Sequence, residues 1–345
     1  MKFSIIIPTL NNASKLTICL EHLAKIVFSK ENFEVLVIDN GCTDNTLEVI
    51  LSFKNKIKNI QHFYCDVPGC LMAARHKGWR ESHSPILCFI DDDSLVNPHW
   101  LNAMEDSFRN EEVNLVGGPC IPKYEIPPPS WVEEFWQNTE YGKFHGYLSL
   151  LDFGSQIIPI PHHFVFGCNY NIRKKALELV GGTLPDYLPE TYKFYQGTGE
   201  TGISSLLANH GIALYHPDVR IEHYVVKNRF TPQYFSNRAY YNGIGASYSE
   251  IRKSAFEHDS RTKMELKFLK KKMNQLKTNI KMLRLEKSEF QSVKILTSKK
   301  YHQGFYDHQQ IAYKDEVLMS WICLDNYLHE GSNVFKFINN YKTGV

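Results

Sequence analysis

No apolar run in the chain approaches the roughly 20 residues that a membrane-crossing helix needs, which excludes an integral helical anchor within this sequence. The short stretch from Phe3 to Pro8 is soon interrupted by Asn11 and Asn12 and lacks the form of a secretory leader. Neither sign of charge dominates. With 39 Lys and Arg against 37 Asp and Glu, the overall balance gives no argument for nucleic-acid binding. Glycine-rich phosphate loops are missing as well: the first apolar segment ends in Pro8-Thr9-Leu10-Asn11-Asn12, and no GxGxxG follows any early strand, which disfavours a dinucleotide dehydrogenase. Eight cysteines contain no CxxC pair, and Cys65 with Cys70 has no matching partners for a metal clip. Reduced thiols fit a cytoplasmic location, with peripheral contact at the inner membrane face left open.

What is present reads first as strand and helix in alternation. Phe3 to Ile7 and Phe33 to Ile38 are short continuous apolar strands, and Ser14 to Ile26 carries Leu16, Cys19, Leu20 and Leu23 at helical spacing. A third strand spans Ile60 to Cys65, a helix Leu71 to Glu81, and a fourth strand Ile86 to Ile90. Apolar strands separated by helices predict a parallel sheet covered on both faces, with ligand groups gathered beyond the carboxyl ends of its strands. Further strands are expected at Phe164 to Cys168 and Ala213 to Tyr215.

Asp91, Asp92 and Asp93 follow the fourth strand directly. Adjacent carboxylates repel one another, so a triplet at the point where a buried strand surfaces suggests a bound cation; a solvated acidic turn, or a helix start capped by Ser94 or Asn97, is the plain alternative. Alternation along an extended segment sends Asp91 and Asp93 to one side and Asp92 to the other. Two oxygen ligands on one side suit Mg²⁺ or Mn²⁺.

The proline-rich stretch from Ile121 to Ser130, followed by Trp131 and Trp136, reads as a surface excursion whose aromatics either pack the core edge or offer a sugar platform. Beyond about residue 249 the composition shifts to lysine. Leu269, Met273, Leu276, Ile280 and Leu283 recur at steps of four and three, predicting an amphipathic basic helix over 264–285. Its partner is expected near Ile311 to Leu328, and intramolecular packing, homodimerisation and a basic face on anionic lipid are all compatible with it.

Taken together, Ser4 to Asn12, Val37 to Asp44, Ala73 to Gly78 and Phe89 to Asp93 resemble the family 2 glycosyltransferases in order and spacing. The resemblance continues through Phe166 to Arg173, Gly181-Gly182, Gly199-Glu200-Thr201 and Tyr215-His216-Pro217 to His223, and covers about residues 3 to 245. It implies a GT-A type α/β fold, a mostly parallel sheet flanked by helices, in a domain over 1–245 with a basic helical C-terminal extension over 246–345. It also implies roles. Pro8 and Thr9 would border the nucleoside, Asp39 would contact the base, Arg75 the diphosphate, and Asp91 and Asp92 the donor, while Asp93 and His223 would hold Mn²⁺ or Mg²⁺. Glu200 would be the catalytic base, with Asp186 or Glu190 as substitutes, because Gly199 stands where the family usually carries a first acidic residue. Trp131, Trp136, His163 and Asn169 are the expected acceptor contacts, together with the segment from Arg229 to Tyr241.

The implied reaction moves a sugar, with inversion and a metal, from a nucleoside diphosphate donor such as a UDP-sugar to a hydroxyl of a glycan or lipid-linked acceptor. Two alternatives carry different chemistry: a sugar-phosphate nucleotidyltransferase, and a non-catalytic scaffold that binds a nucleotide sugar or glycan.

Overall fold

A computed structural model describes residues 1–257, 288–329 and 333–343. Fourteen strands alternate with helices along the described chain. They are β1 (Phe3–Thr9), β2 (Phe33–Asp39), β3 (Ile60–Tyr64), β4 (Ile86–Ile90), β5 (Ser94–Val96), β6 (Val113–Gly117), β7 (Cys120–Tyr124), β8 (Gln137–Asn138), β9 (Lys143–His145), β10 (Leu150–Asp152), β11 (Ile158–Ile160), β12 (Asn169–Arg173), β13 (Ile212–Tyr215) and β14 (Ile221–Val225). The helices are α1 (Ala13–Leu23), α2 (Thr46–Ser52), α3 (Leu71–Glu81), α4 (Trp100–Ser107), α5 (Ser130–Glu133), α6 (Lys174–Leu179), α7 (Gly199–Leu207), α8 (Pro232–Phe256), α9 (Glu289–Ala312), α10 (Glu316–Ile322) and α11 (Val334–Thr343).

The larger sheet has eight strands in the order β11-β13-β6-β12-β4-β1-β2-β3. β3, β2, β1 and β4 pair in parallel, as expected from their apolar runs: β1 and β2 are buried at every position because helices cover both faces. β12 enters antiparallel between β4 and β6. The strand expected at Phe164 to Cys168 is instead a 3-10 turn at His162–Phe164 and a loop, because Asn169 N–H bonds back to the Phe166 carbonyl and pairing with β4 begins only at Asn169.

A second sheet, β5-β14-β7-β10-β9-β8, is built from strands of two to five residues. Its pairing of β14 antiparallel to β5 sets His223 opposite Ser94, and Tyr224 N–H donates to the Asp93 carbonyl at 2.9 Å. That register carries the aspartate triplet to the histidine.

The boundary expected at 245 falls inside α8, a helix of 25 residues. Thr231 caps it, its hydroxyl accepting from Tyr234 N–H, and Pro232 opens it. Tyr248 and Ile251 of α8, Leu318, Trp321 and Ile322 of α10, and Tyr327 all join the same buried cluster as the large sheet. The helical C-terminal part is therefore packed onto the α/β body rather than set apart from it. The partner segment near Ile311 to Leu328 is helical, but the basic stretch 264–285 lies outside the described residues.

α8 and α9 run in the same direction. Phe235 and Val293 share a cluster near their starts, and Ser247 meets His308 at 2.7 Å further along. They touch backbone to backbone at two glycines: a Cβ on Gly243 would lie 1.9 Å from the Tyr301 carbonyl, and one on Gly304 would lie 2.0 Å from that of Tyr240. Alanine favours a helix interior over glycine by about 0.5–1 kcal/mol, but overpacking costs about 1–3 kcal/mol or more, so the steric term wins. Gly243→Ala should lower the melting temperature by several degrees in a thermal unfolding scan, whereas Lys253→Ala, on the exposed side of the same helix, should leave it unchanged.

Candidate active site

The carboxyl ends of β1 and β4 open onto a cleft of about 410 Å³. Pro8, Thr9, Arg75, Asp91, Asp92, Asp93, Glu200 and His223 all line it, so most of the expected donor, metal and base residues converge. Asp91, Asp93 and His223 offer ligand atoms within 4.8 Å of one another. Burial pushes the Asp93 carboxyl up, yet His223 and Arg229 outweigh it and hold it below the usual range. Asp91 is raised, by burial first and by Asp93 next.

The donor set suits a hard divalent cation: two carboxylates and one imidazole, with a buried Asp93 Oδ1 that accepts no hydrogen bond. Arg229 reaches into the same place. Its guanidinium lies 2.9 Å from Asp93 Oδ2 and 3.0 Å from His223 Nε2. Arginine only donates, so in this contact His223 Nε2 accepts, and a cation bound by His223 through Nε2 takes the place of Arg229 on that lone pair.

Asp92 faces away from its neighbours, as alternation predicts, and its carboxylate is taken up by Thr9 Oγ1 at 2.7 Å and Asn12 Nδ2 at 2.6 Å. Burial raises it to about 7. It fastens the loop after β1 to the end of β4 and is one of the residues that line the cleft. Asp39 likewise serves its own turn: Oδ1 accepts from Gly41 and Cys42 N–H at 3.0 and 2.7 Å, and Oδ2 faces His62 Nε2 at 3.3 Å. Asn40, not Asp39, lines the cleft.

Arg75 is 5% exposed and sits between two carboxylates, with Nη1 3.5 Å from both Asp186 Oδ2 and Glu200 Oε2. Glu200 stands in the first turn of α7, and its Oε1 accepts from Gly167 N–H at 3.3 Å. Gly199 precedes it with φ +51°, a conformation suited to glycine, and a Cβ there would lie 2.5 Å from Asp186 Oδ2. The Asp186 carboxyl thus fills the space of a side chain at 199, next to Glu200. Glu190, the other substitute, is exposed, bonded to Lys193 and Tyr241, and lines neither cleft.

A second cleft of about 680 Å³ lies along α8 and shares Ser149, Asp186, Tyr187, Leu188, Glu200, Tyr234 and Arg238 with the first. The expected acceptor residues are not in it. Trp131 is 2% exposed and packs edge-on against Phe235 at 5.0 Å, while Trp136 lies under Lys143 and against His145. His163 is exposed beside Phe164, and Asn169 is buried, accepting from Trp100 Nε1 and donating to the Val219 carbonyl. The apolar positions of the surface excursion close a satellite core with β10 and α8, with Trp131 buried in it and Trp136 half-buried at its edge. Of the expected acceptor groups, only the segment from Arg229 to Tyr241 contributes. Tyr187 and Ser149, which carried no sequence signal, join it because loops bring them there.

A mixed, largely parallel α/β sheet whose strand end carries an Asp-Asp-Asp triplet, met by a histidine from the second sheet beside a helix-borne glutamate, is of the GT-A type. The glycosyl transferase family 2 model matches residues 4–180, and the chain belongs to that enzyme family. Glycosyltransferase AglE of Haloferax volcanii is 26% identical over 185 residues, 51% of this chain and 61% of that protein. Validoxylamine A glucosyltransferase of Streptomyces hygroscopicus subsp. jinggangensis is 34% identical over 137 residues, 38% of this chain and 32% of that protein. The chain thus spans less than two thirds of the length of these curated relatives. Among solved structures, S. aureus TarS 1–349 in complex with UDP-GlcNAc superposes with a TM-score of 0.50 at 16% identity, covering 100% of this chain and 92% of that one. Mannosyltransferase PcManGT from Pyrobaculum calidifontis, in complex with GDP-Man and Mn²⁺, gives 0.50 at 14% identity, with 99% and 84% covered. At these identities the likeness concerns the fold.

Asp186 generates a pH prediction. Burial first, and the charge of Glu200 second, push its carboxyl from 3.8 to about 7. The folded chain holds that proton more tightly than the unfolded chain, so its contribution to stability is full at low pH and is lost as the pH rises toward 7. Asp186→Asn stays neutral throughout. Its unfolding free energy relative to the wild type should climb between roughly pH 4 and pH 8, by at most about 4 kcal/mol, in urea titrations at stepped pH. A gap independent of pH would contradict the assignment.

Proposed function

We propose that this chain transfers a sugar from a nucleoside diphosphate donor to a hydroxyl of a glycan or lipid-linked acceptor, with inversion at the anomeric carbon and with a divalent metal. The observation that carries the reading is the single cleft in which the Asp91, Asp93 and His223 cluster lies with Glu200 and Arg75, next to a second cleft that Glu200 also lines. A UDP-sugar is the donor this reading takes; neighbours of the fold are solved with UDP-GlcNAc and with GDP-Man. Within the chain, residues 1–245 carry the donor groups and the base, and the helices beyond support α8. A cytoplasmic location, with peripheral membrane contact for a lipid-linked acceptor, belongs to the same reading. It is supported by eight free thiols and by the lack, among the described residues, of any helix long and apolar enough to cross a membrane.

In this mechanism Pro8, Thr9 and Asn40 border the nucleoside side of the cleft. Asp93 and His223, with Asp91, would hold Mn²⁺ or Mg²⁺; when bound, the ion supplies positive charge against the charge that develops on the departing diphosphate. Glu200, oriented by Gly167 N–H and Arg75, takes the acceptor hydroxyl proton as the oxygen attacks the anomeric carbon. The carbon–oxygen bond to the diphosphate breaks on the opposite face, and its electron pair leaves with the diphosphate. One displacement inverts the centre without a covalent enzyme intermediate.

Removal of the base separates this reading from a scaffold. Glu200→Gln should lower kcat by about 10²–10⁴-fold while still binding UDP in calorimetry, and Asp93→Ala should lose the Mn²⁺-dependent part of UDP binding. Wild type that binds UDP-sugars yet transfers to no hydroxyl, water included, would sink the proposal.

A further inference from the structure

One face of α8, bearing Tyr234, Asn237, Arg238, Tyr241 and Gly245 at helical spacing, walls the second cleft. From that wall Arg238 reaches the junction of the two clefts and lines both. Its Nη1 donates to Tyr187 Oη at 2.9 Å and its Nη2 to Ser149 Oγ at 3.2 Å, while its buried Nε has no partner. Both partners are neutral hydroxyls. The other two arginines of the site differ: Arg75 is held by Asp186 and Glu200, and Arg229 by Asp93, whereas among the described residues no carboxylate lies within ion-pair distance of Arg238. A guanidinium offers five N–H donors in a planar fork that matches phosphate and carboxylate oxygens. Here that fork stands beside the proposed base with donors to spare.

The group that meets Arg238 is placed with strain. Tyr187 adopts φ +43°, the left-handed region that a tyrosine rarely occupies, and the residue is 56% exposed while lining both clefts. Such an arrangement is costly to keep for packing alone, because an exposed ring packs little.

We propose that the second cleft is the acceptor site and that its acceptor carries an oxyanion, a phosphate or a carboxylate, which docks on Arg238 beside the Tyr187 and Ser149 hydroxyls. The sugar ring of that acceptor lies against Tyr234 and Tyr241 and presents its hydroxyl to Glu200. A neutral acceptor filling the cleft would strip water from a guanidinium that Glu200 and Asp186 act on only from beyond contact, whereas an oxyanion pairs with it directly. Arg238 belongs to the acceptor side because α8 walls the second cleft along its length and gives the first only Tyr234 and Arg238. This inference rests on the reading of Glu200 as base and of the first cleft as the donor site.

The test is calorimetry on the full chain saturated with UDP and Mn²⁺, titrated with glucose 6-phosphate, glucuronate and glucose. At least one anionic sugar should bind wild type about tenfold or more tighter than glucose, and Arg238→Gln should bring it down to the level of glucose. Preference for glucose 6-phosphate identifies a phosphate, preference for glucuronate a carboxylate. Arg238→Lys, which keeps the charge without the fork, should retain part of the discrimination, and the wild-type ranking stands even where a variant fails to fold. Equal binding of all three sugars by wild type would overturn the inference alone. So would a tenfold loss of UDP affinity in Arg238→Gln with the sugar ranking unchanged, since Arg238 would then serve the donor. Failure of wild type to bind UDP would overturn this inference and the donor reading together.

Discussion

Five carboxylates, Asp91, Asp92, Asp93, Asp186 and Glu200, line one cleft, and the repulsion among them is the constraint around which the site is arranged. Each is met differently. Asp93 is held charged by His223 and Arg229, Asp92 is pushed toward neutrality and bonded to Thr9 and Asn12, and Asp186 shares Arg75 with Glu200. The result is two neighbourhoods. Around Asp93 the carboxylate charge is balanced by His223 and Arg229, and around Glu200 a carboxylate stands beside a second group whose proton affinity is high.

The two sheets divide this work. The parallel strands deliver Thr9 and the triplet to one rim, because all four of β3, β2, β1 and β4 end there. The second sheet does what the first cannot: through β5 and β14 it returns the chain, some 130 positions later, to set His223 and Arg229 against Asp93.

Legibility from the sequence follows the range of the interactions. β1 to β4 and α3 could be read from apolar runs and helical spacing, because their burial is set by neighbours in the chain and by the layer they occupy. The separation of Asp92 from Asp91 and Asp93 follows from strand alternation alone, and the joining of His223 to that pair was visible through the family pattern. The second sheet was not legible: its strands are too short to show a period, and their pairing is long-range. Of the two readings of Trp131 and Trp136, packing at the core edge is the one the structure shows, and the sequence could not choose it for a related reason. A tryptophan after a proline-rich stretch looks exposed until Phe135, Phe235 and Leu148 are known to close over it. The turn bonds of Asp39 were legible as local capping, while Arg238 gave no signal because what distinguishes it, partners that are hydroxyls instead of a contacting carboxylate, is set by loops distant in sequence.

α8 begins just after the turn that bears Arg229, shows Arg238 and Tyr241 to the second cleft, and leans its far side on α9 through bare backbone at Gly243 and Gly304. In the proposed reading the donor groups sit on the sheet rim and the acceptor lies along this helix, so the two substrates are addressed largely by separate stretches of chain. On that reading, changes on the cleft-facing side of this one helix would alter the acceptor while leaving the donor groups in place, and the glycine seam behind fixes how far the helix can be moved in doing so.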